Sequence, residues 1–231
     1  MTEHHLTVQR TARYYTIGEL TENTTHVWFC LHGFGQLASY FSKKFTGLDD
    51  GKTLIVVPEG LSRLYLNGEY KRIGASWLTR EDKQHEINDF ITYLNALYDT
   101  ILNGRNRDAK PRKTLHITLL GFSQGAAAVC RWLNGGSAGP AHIRADRLIL
   151  WAGFFSNGIA DVIDPAKLAG VETHYVYGTQ DEFFELIGDV AACKARLLAD
   201  VPNLKITAFE GGHRVEPEVL RQLTVGGKTV V

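Results

Sequence analysis

From residue 25 onward, short apolar runs alternate with stretches whose apolar positions recur every three or four residues. The runs are Thr25–Leu31, Thr53–Val57, Thr114–Leu120, Arg147–Trp151, Thr173–Tyr177 and Leu204–Phe209. Each is of strand length and rich in β-branched or aromatic residues, and most are apolar at successive positions, which predicts strands buried on both faces. The intervening spacing predicts helices over Ser39–Thr46, Ile87–Ile101, Gln124–Leu133, Phe183–Leu197 (through Ile187, Val190 and Lys194) and, briefly, Pro217–Leu223. Thr79 reads as the N-cap of the second helix with Asp82 at its third position, and Asn103-Gly104 as its end. Asn134-Gly135-Gly136 stops the third.

Ahead of this alternation, Leu6-Thr7-Val8 and Tyr14–Ile17 predict an antiparallel edge feature. Glu59–Leu78 keeps no period and reads as a long loop carrying Leu61, Leu64, Tyr65, Leu66, Tyr70 and Trp77. A loop so apolar tends to line a site, and this one is a candidate lid. Gly104–Lys113 reads as a solvated basic connection, Gly135–Ala141 as a loop of small residues, and the tail after Gly226-Gly227 as loose. Strands alternating with helices predict an α/β fold, a mostly parallel central sheet with right-handed crossovers and helices on both faces. No linker or repeat divides the chain, so one domain over residues 1–231 is expected.

Chemistry enters at the join between the Thr114–Leu120 run and the helix behind it. There the chain reads Gly121-Phe122-Ser123-Gln124-Gly125, the Gly-x-Ser-x-Gly elbow in its strand–turn–helix setting. The turn is so sharp that the two backbones nearly touch, and a Cβ at Gly121 or Gly125 would collide. Ser123 is left strained with its hydroxyl above the sheet, and the Gln124 N–H at the helix start is free to meet an oxyanion.

A serine hydroxyl needs a base, and the base needs an anion to hold its tautomer. In an open parallel sheet these groups gather after later strands. His213 follows the last strand in Glu210-Gly211-Gly212-His213. His116 and His174 fall inside strands, His26 begins one, and His32 precedes a glycine turn and reads as structural. His4, His5, His85 and His142 lie in polar or terminal settings. Asp181 follows a strand and a Gly-Thr-Gln turn; Glu182, Asp161 and Asp164 are its rivals, and a helix-capping role is its plainer reading. Asp181 keeps the chain order Ser, Asp, His. A second oxyanion donor is expected in His32-Gly33-Phe34-Gly35, with Phe34 as the donor.

The bulk numbers change the picture mainly by exclusion. Of 231 residues, 44% are hydrophobic and 22% charged, with Lys plus Arg equal to Asp plus Glu. That balance argues against nucleic acid or an anionic membrane as the main partner. No apolar run approaches the roughly 18 residues of a spanning helix. The polar start Met1-Thr2-Glu3-His4-His5 has no signal-peptide core. Cys30, Cys130 and Cys193 have no metal-type spacing and read as apolar fillers, which makes the cytoplasm the default location. No metal is expected, and a homodimer stays open.

Together these motifs resemble the serine α/β-hydrolase superfamily, and more narrowly its phospholipase/carboxylesterase family, which includes acyl-protein thioesterases. The resemblance runs from about residue 25 to 223 on His32-Gly33-Phe34-Gly35, Gly-Phe-Ser-Gln-Gly at 121–125, Gly178-Thr179-Gln180-Asp181 and Gly212-His213, with Trp77 ahead of the long helix. It implies the α/β-hydrolase fold, with Ser123 as nucleophile, His213 as base, Asp181 as orienting acid, Phe34 and Gln124 as oxyanion donors, and no cofactor. The expected activity is hydrolysis of a small-to-medium acyl ester, with Phe34, Trp77 and Phe154, Phe155 or Phe183 as walls of an acyl pocket. Thioesterase or lysophospholipase activity, acyl transfer and a non-catalytic binding module remain alternatives. The chain departs from the family where thioesterases carry aspartate after the tryptophan: here Trp77 is followed by Leu78-Thr79-Arg80.

Overall fold

A computed structural model describes residues 1–103, 115–135, 143–185 and 189–224. In chain order its strands are β1 (Tyr14–Ile17), β2 (His26–Leu31), β3 (Thr53–Pro58), β4 (Ser62–Tyr65), β5 (Ile73–Ser76), β6 (His116–Phe122), β7 (Arg147–Trp151), β8 (Glu172–Gly178) and β9 (Lys205–Phe209). Seven of them form one sheet in the order β1-β3-β2-β6-β7-β8-β9, parallel throughout except for β1 against β3. This is the α/β-hydrolase architecture.

Strand alternation sends neighbouring side chains to opposite faces, so a run such as Val27-Trp28-Phe29-Cys30-Leu31 serves two cores at once. Val27, Phe29 and Leu31 pack beneath helices α2 (Lys83–Asn103) and α3 (Gln124–Asn134), among Phe90, Leu94, Val129 and Trp132. Trp28 and Cys30 face the other way, toward Phe41 of α1 (Ala38–Phe41) and Leu220 of α6 (Pro217–Thr224). All three cysteines are buried and unpaired. Burial pushes their thiols up, that of Cys130 to about 12, so they remain protonated fillers.

The structure redraws several expected elements. Leu6-Thr7-Val8 forms no strand, and Leu6 and Val8 are exposed: three alternating residues offer too little face to bury, and β3 already has its edge partner in β1. The helix expected over Ser39–Thr46 is α1 followed by a 3₁₀ helix, Ser42–Leu48. Ser42 and Thr46 donate their hydroxyls to the carbonyls three residues back, which tightens the coil. The Glu59–Leu78 stretch is no plain loop, because β4 and β5 pair in it as an antiparallel hairpin.

Thr79 is not an N-cap and Asp82 is not inside the helix. Both the N–H and the hydroxyl of Thr79 donate to the Glu86 carboxylate, and α2 starts only after Asp82, whose carbonyl accepts from His85 and Glu86. The helix expected from Phe183 to Leu197 is α4 (Glu182–Glu185) and α5 (Val190–Asp200). Asp189 is extended between them and caps α5 by accepting from the Ala192 N–H, a start signal inside what periodicity alone joins. Ile187, Thr114, the Gly104–Lys113 connection, residues 136–142 and the tail around Gly226-Gly227 lie outside the described residues. No described helix is long and apolar enough to cross a membrane.

Two ion networks brace the sheet. Buried Glu59, just after β3, accepts from Arg13 Nη2 at 2.7 and 2.8 Å, from Arg63 Nε at 2.8 Å and from the Ala38 N–H at 3.1 Å. It thereby joins the segment before β1, the start of α1 and the hairpin. Burial opposes its charge, but the bonds from Arg63, Arg13 and Ala38 outweigh it and hold the carboxyl below its ordinary value. At the opposite end of the strands, Glu172 accepts from Lys205 and from Arg147 Nε at 2.8 Å. Burial again opposes, and these partners bring the carboxyl down to about 2.

Glu59→Ala is expected to cost about 1–3 kcal/mol of stability, the range for charge-assisted hydrogen bonds, since both released arginines are 43% exposed and rehydrate. Urea denaturation measures it, and an unmoved midpoint would remove Glu59 from the frame. Both carboxyls titrate lower folded than unfolded, so the unfolded chain binds more protons in acid. Their contribution is present above pH 4.5 and is lost as pH falls from there toward about 2 for Glu172. Glu172→Gln should flatten part of that slope in a pH series of denaturation midpoints; an identical slope would place its origin elsewhere.

Candidate active site

Every parallel strand ends at the same edge of the sheet, and the segments that follow them meet there. Gly121 and Phe122 complete β6, and Ser123 turns the chain into α3 with φ +54° and ψ −118°. Non-glycine residues avoid this region at a cost of about 1–3 kcal/mol, and the neighbourhood enforces it. A Cβ on Gly121 would stand 2.2 Å from the Gly125 carbonyl oxygen. One on Gly125 would stand 2.4 Å from that of Leu31. The Ser123 N–H donates to Trp151 O at 2.8 Å, tying the turn to β7. Gln124 is the first residue of α3, so its own N–H has no acceptor within the helix.

Asp181 and His213 meet across the ends of β8 and β9. His213 Nδ1 lies 2.8 Å from Asp181 Oδ2, and Asp181 Oδ1 accepts the Phe183 N–H at 3.0 Å. The carboxylate is an acceptor, so the Nδ1 proton is donated to it and Nε2 keeps its lone pair. Asp181 is 4% exposed, shielded from water that would compete for the imidazole. The rings of Phe122 and Phe183 lie 4.8 and 4.5 Å from that of His213, so the residue before Ser123 packs on the imidazole. Close backbone approach sets this junction too. A Cβ on Gly178 would lie 2.2 Å from Gly211 O, and the N–H groups of Thr179 and Gln180 donate to Phe209 O and Gly211 O.

The rivals sit elsewhere. Glu182 is exposed at the start of α4, Asp161 accepts from Asn157, and Asp164 caps a 3₁₀ turn. His174 is buried beside Glu172, and His26 and His116 pair across β2 and β6. His4 and His5 are exposed in the N-terminal arm, and His142 lies outside the described residues. His32 is fully buried and structural, as expected. Its Nε2 accepts the Gly60 N–H at 2.9 Å, so its Nδ1–H donates to Gly33 O at 2.8 Å. Burial lowers its pKa and keeps it neutral.

The loop carrying Phe34 is pressed onto the elbow. A Cβ on Gly33 would lie 3.1 Å from the Ser123 Cβ and 3.0 Å from the Phe122 ring. The N–H groups of Gly33, Gly35 and Gln36 donate to Gln36 Oε1, Ala75 O and Gly33 O, and Phe34's takes part in none of these bonds. The hairpin supports the loop from behind, for a Cβ on Gly74 would stand 2.3 Å from Gly35 O. The Gln124 side chain completes the brace: Oε1 accepts the Trp77 N–H at 3.0 Å, and Nε2 donates to Leu78 O at 2.8 Å.

Of the expected pocket walls, Phe34, Phe154 and Phe183 are about half exposed at this edge. Trp77 is not a wall. It is 2% exposed, packs against Phe90, and its Nε1–H donates to His32 O at 2.8 Å, so it anchors the glycine loop from inside the core. Phe155 is core as well. The roles of the Glu59 and Gln124 side chains escape sequence reasoning, since apart from Arg63 their partners lie in distant segments. The acid directly after a strand-ending Pro58 is the one local signal for Glu59.

No curated protein sequence matches the chain. Among solved structures, it is similar to acyl-protein thioesterase 2 from Zea mays, at 16% identity and TM-score 0.63 over 92% of this chain and 96% of that one. It is likewise similar to a carboxylesterase from Mesorhizobium loti, at 20% identity and TM-score 0.63 over 94% and 95%. Both likenesses show the fold. A sequence model of the family described as Serine hydrolase (FSH1) matches residues 23–221, and the chain belongs to that serine hydrolase family.

Proposed function

We propose that the chain is a carboxylic-ester hydrolase working through an acyl-enzyme on Ser123. The observation that carries this reading is the Asp181–His213 pair at 2.8 Å, packed through Phe122 onto the strained Ser123 turn. In the proposed cycle Ser123 Oγ attacks the ester carbonyl carbon while His213 Nε2 takes its proton. The carbonyl π pair moves to oxygen, and the N–H groups of Phe34 and Gln124 hold the resulting oxyanion. Asp181 stabilises the imidazolium. Collapse expels the alkoxide, which leaves as the alcohol with the proton from His213. Water, deprotonated by the same nitrogen, then attacks the acyl-enzyme and releases the acid.

The half-exposed rings of Phe34, Phe154 and Phe183 offer the acyl chain an apolar surface suited to small or medium groups. The same steps cleave a thioester, the substrate class in the name of the Zea mays neighbour, or a lysophospholipid. What favours a hydrolase over a binding module is the His213–Asp181 hydrogen bond and the packing of Phe122, the neighbour of Ser123, on that imidazole.

Hydrolysis of p-nitrophenyl esters over a ladder of acyl lengths tests the proposal. Ser123→Ala should lower turnover by about 10⁴ to 10⁶ with the fold intact by circular dichroism. A folded variant as active as the parent would dismiss Ser123 as nucleophile. Phe183→Ala should shift the preferred acyl length or raise KM while leaving a measurable kcat. An unchanged length profile would remove Phe183 from the pocket.

A further inference from the structure

Away from the triad, three chemically matched side chains converge from two segments far apart in the chain. His5 comes from the N-terminal arm, which has no regular secondary structure; Asp82 and His85 come from the start of α2. His5 Nε2 lies 3.2 Å from Asp82 Oδ2, and His85 Nδ1 lies 2.6 Å from Asp82 Oδ1. The two imidazoles are stacked, with centroids 4.0 Å apart and planes 22° from parallel. Asp82 presents its carboxylate between them from a left-handed backbone, φ +47°, which aspartate tolerates better than most residues. Glu3 adds a second carboxylate, its Oε1 3.1 Å from His5 Nε2.

We propose that His5, Asp82 and His85 form a binding site for a divalent transition-metal cation of the zinc type, which pins the N-terminal arm to the start of α2. One potential ligand atom from each residue lies within 4.8 Å of the other two. Ligands about 2.0–2.2 Å from a tetrahedral ion stand roughly 3.3 Å apart, so small side-chain rotations close the set. Two imidazole nitrogens with a carboxylate suit zinc and its neighbours and disfavour magnesium or calcium, which take oxygen ligands. Water or Glu3 supplies the fourth position. Two carboxylates against two neutral imidazoles leave the site with charge −2, which a divalent ion cancels. Binding uses the lone pairs of His5 Nε2 and His85 Nδ1, each neutral ring carrying its one proton on its other nitrogen, and forms four coordinate bonds with no redox step.

This site holds the arm and does not depend on the ester chemistry; Ser123→Ala should bind the ion as the parent does. The test is calorimetric titration of tag-free, chelator-stripped protein with Zn²⁺, alongside His5→Ala, His85→Ala, Asp82→Asn and His4→Ala. One saturable equivalent per chain is expected, weakened at least about tenfold in the first three variants and unchanged in His4→Ala. Limited trypsin digestion gives a second readout: Zn²⁺ should slow cleavage after the exposed Arg10 in the parent and not in His5→Ala. No saturable heat, equal affinity in His5→Ala and His85→Ala, or a loss confined to His4→Ala would each overturn the proposal.

Discussion

The structure depends on how closely two backbones approach at the top of β6. Strand and helix are brought so near that only hydrogen fits at residues 121 and 125, and the residue between them is driven into a conformation that side chains avoid. That strain persists only if the surroundings are stiff. The stiffness comes from both sides. The Ser123 N–H is held by β7, and the Leu31 and His32 carbonyls at the end of β2 stand where a Gly125 Cβ would go. The central strands of the sheet thus act as a vice, and the strained Ser123 turn is a by-product of its closure.

Around that vice the molecule divides its labour. The Asp181–His213 pair belongs to β8, β9 and the turns after them, where the Gly178 and Gly211 backbones approach closely. The glycine loop after β2 belongs to the other half and is held by a buried indole, a neutral imidazole and the hairpin. Glu59 reaches the same region from below, so a single carboxylate keeps the hairpin, α1 and the edge strand in register. None of these supports touches the hydroxyl, and all of them fix where its neighbours point.

The central fold and the candidate site were legible because both are written in short local patterns. Six apolar runs name the parallel strands. Gly-Phe-Ser-Gln-Gly and Gly-Gly-His carry their own steric meaning, and chain order singles out Asp181, which the structure sets beside His213. The hairpin was hidden because its four-residue strands, Ser62–Tyr65 and Ile73–Ser76, are too brief for alternation to show. Trp77 was misread because an indole suits a pocket wall or a core equally well, and only the acceptor at its Nε1 decides. The break between α4 and α5 was lost because hydrophobic spacing runs through it, although Asp189 offered a cap. The role of Glu59 was missed for a different reason: although Arg63 is four residues on, its partner Arg13 lies 46 residues away, beyond any window of periodicity.

Gln124 joins two parts of the molecule that would otherwise be free to change separately. Its main chain begins the helix behind the serine, and its amide clasps Ser76, Trp77 and Leu78 at the root of the hairpin. A substitution that shifts this root drags the helix start with it. The outer hairpin carries no such tether, with Tyr65, Tyr70 and Ile73 all facing solvent. Sequence drift therefore has room at the tip, while the root is inherited together with the Ser123 turn as one unit.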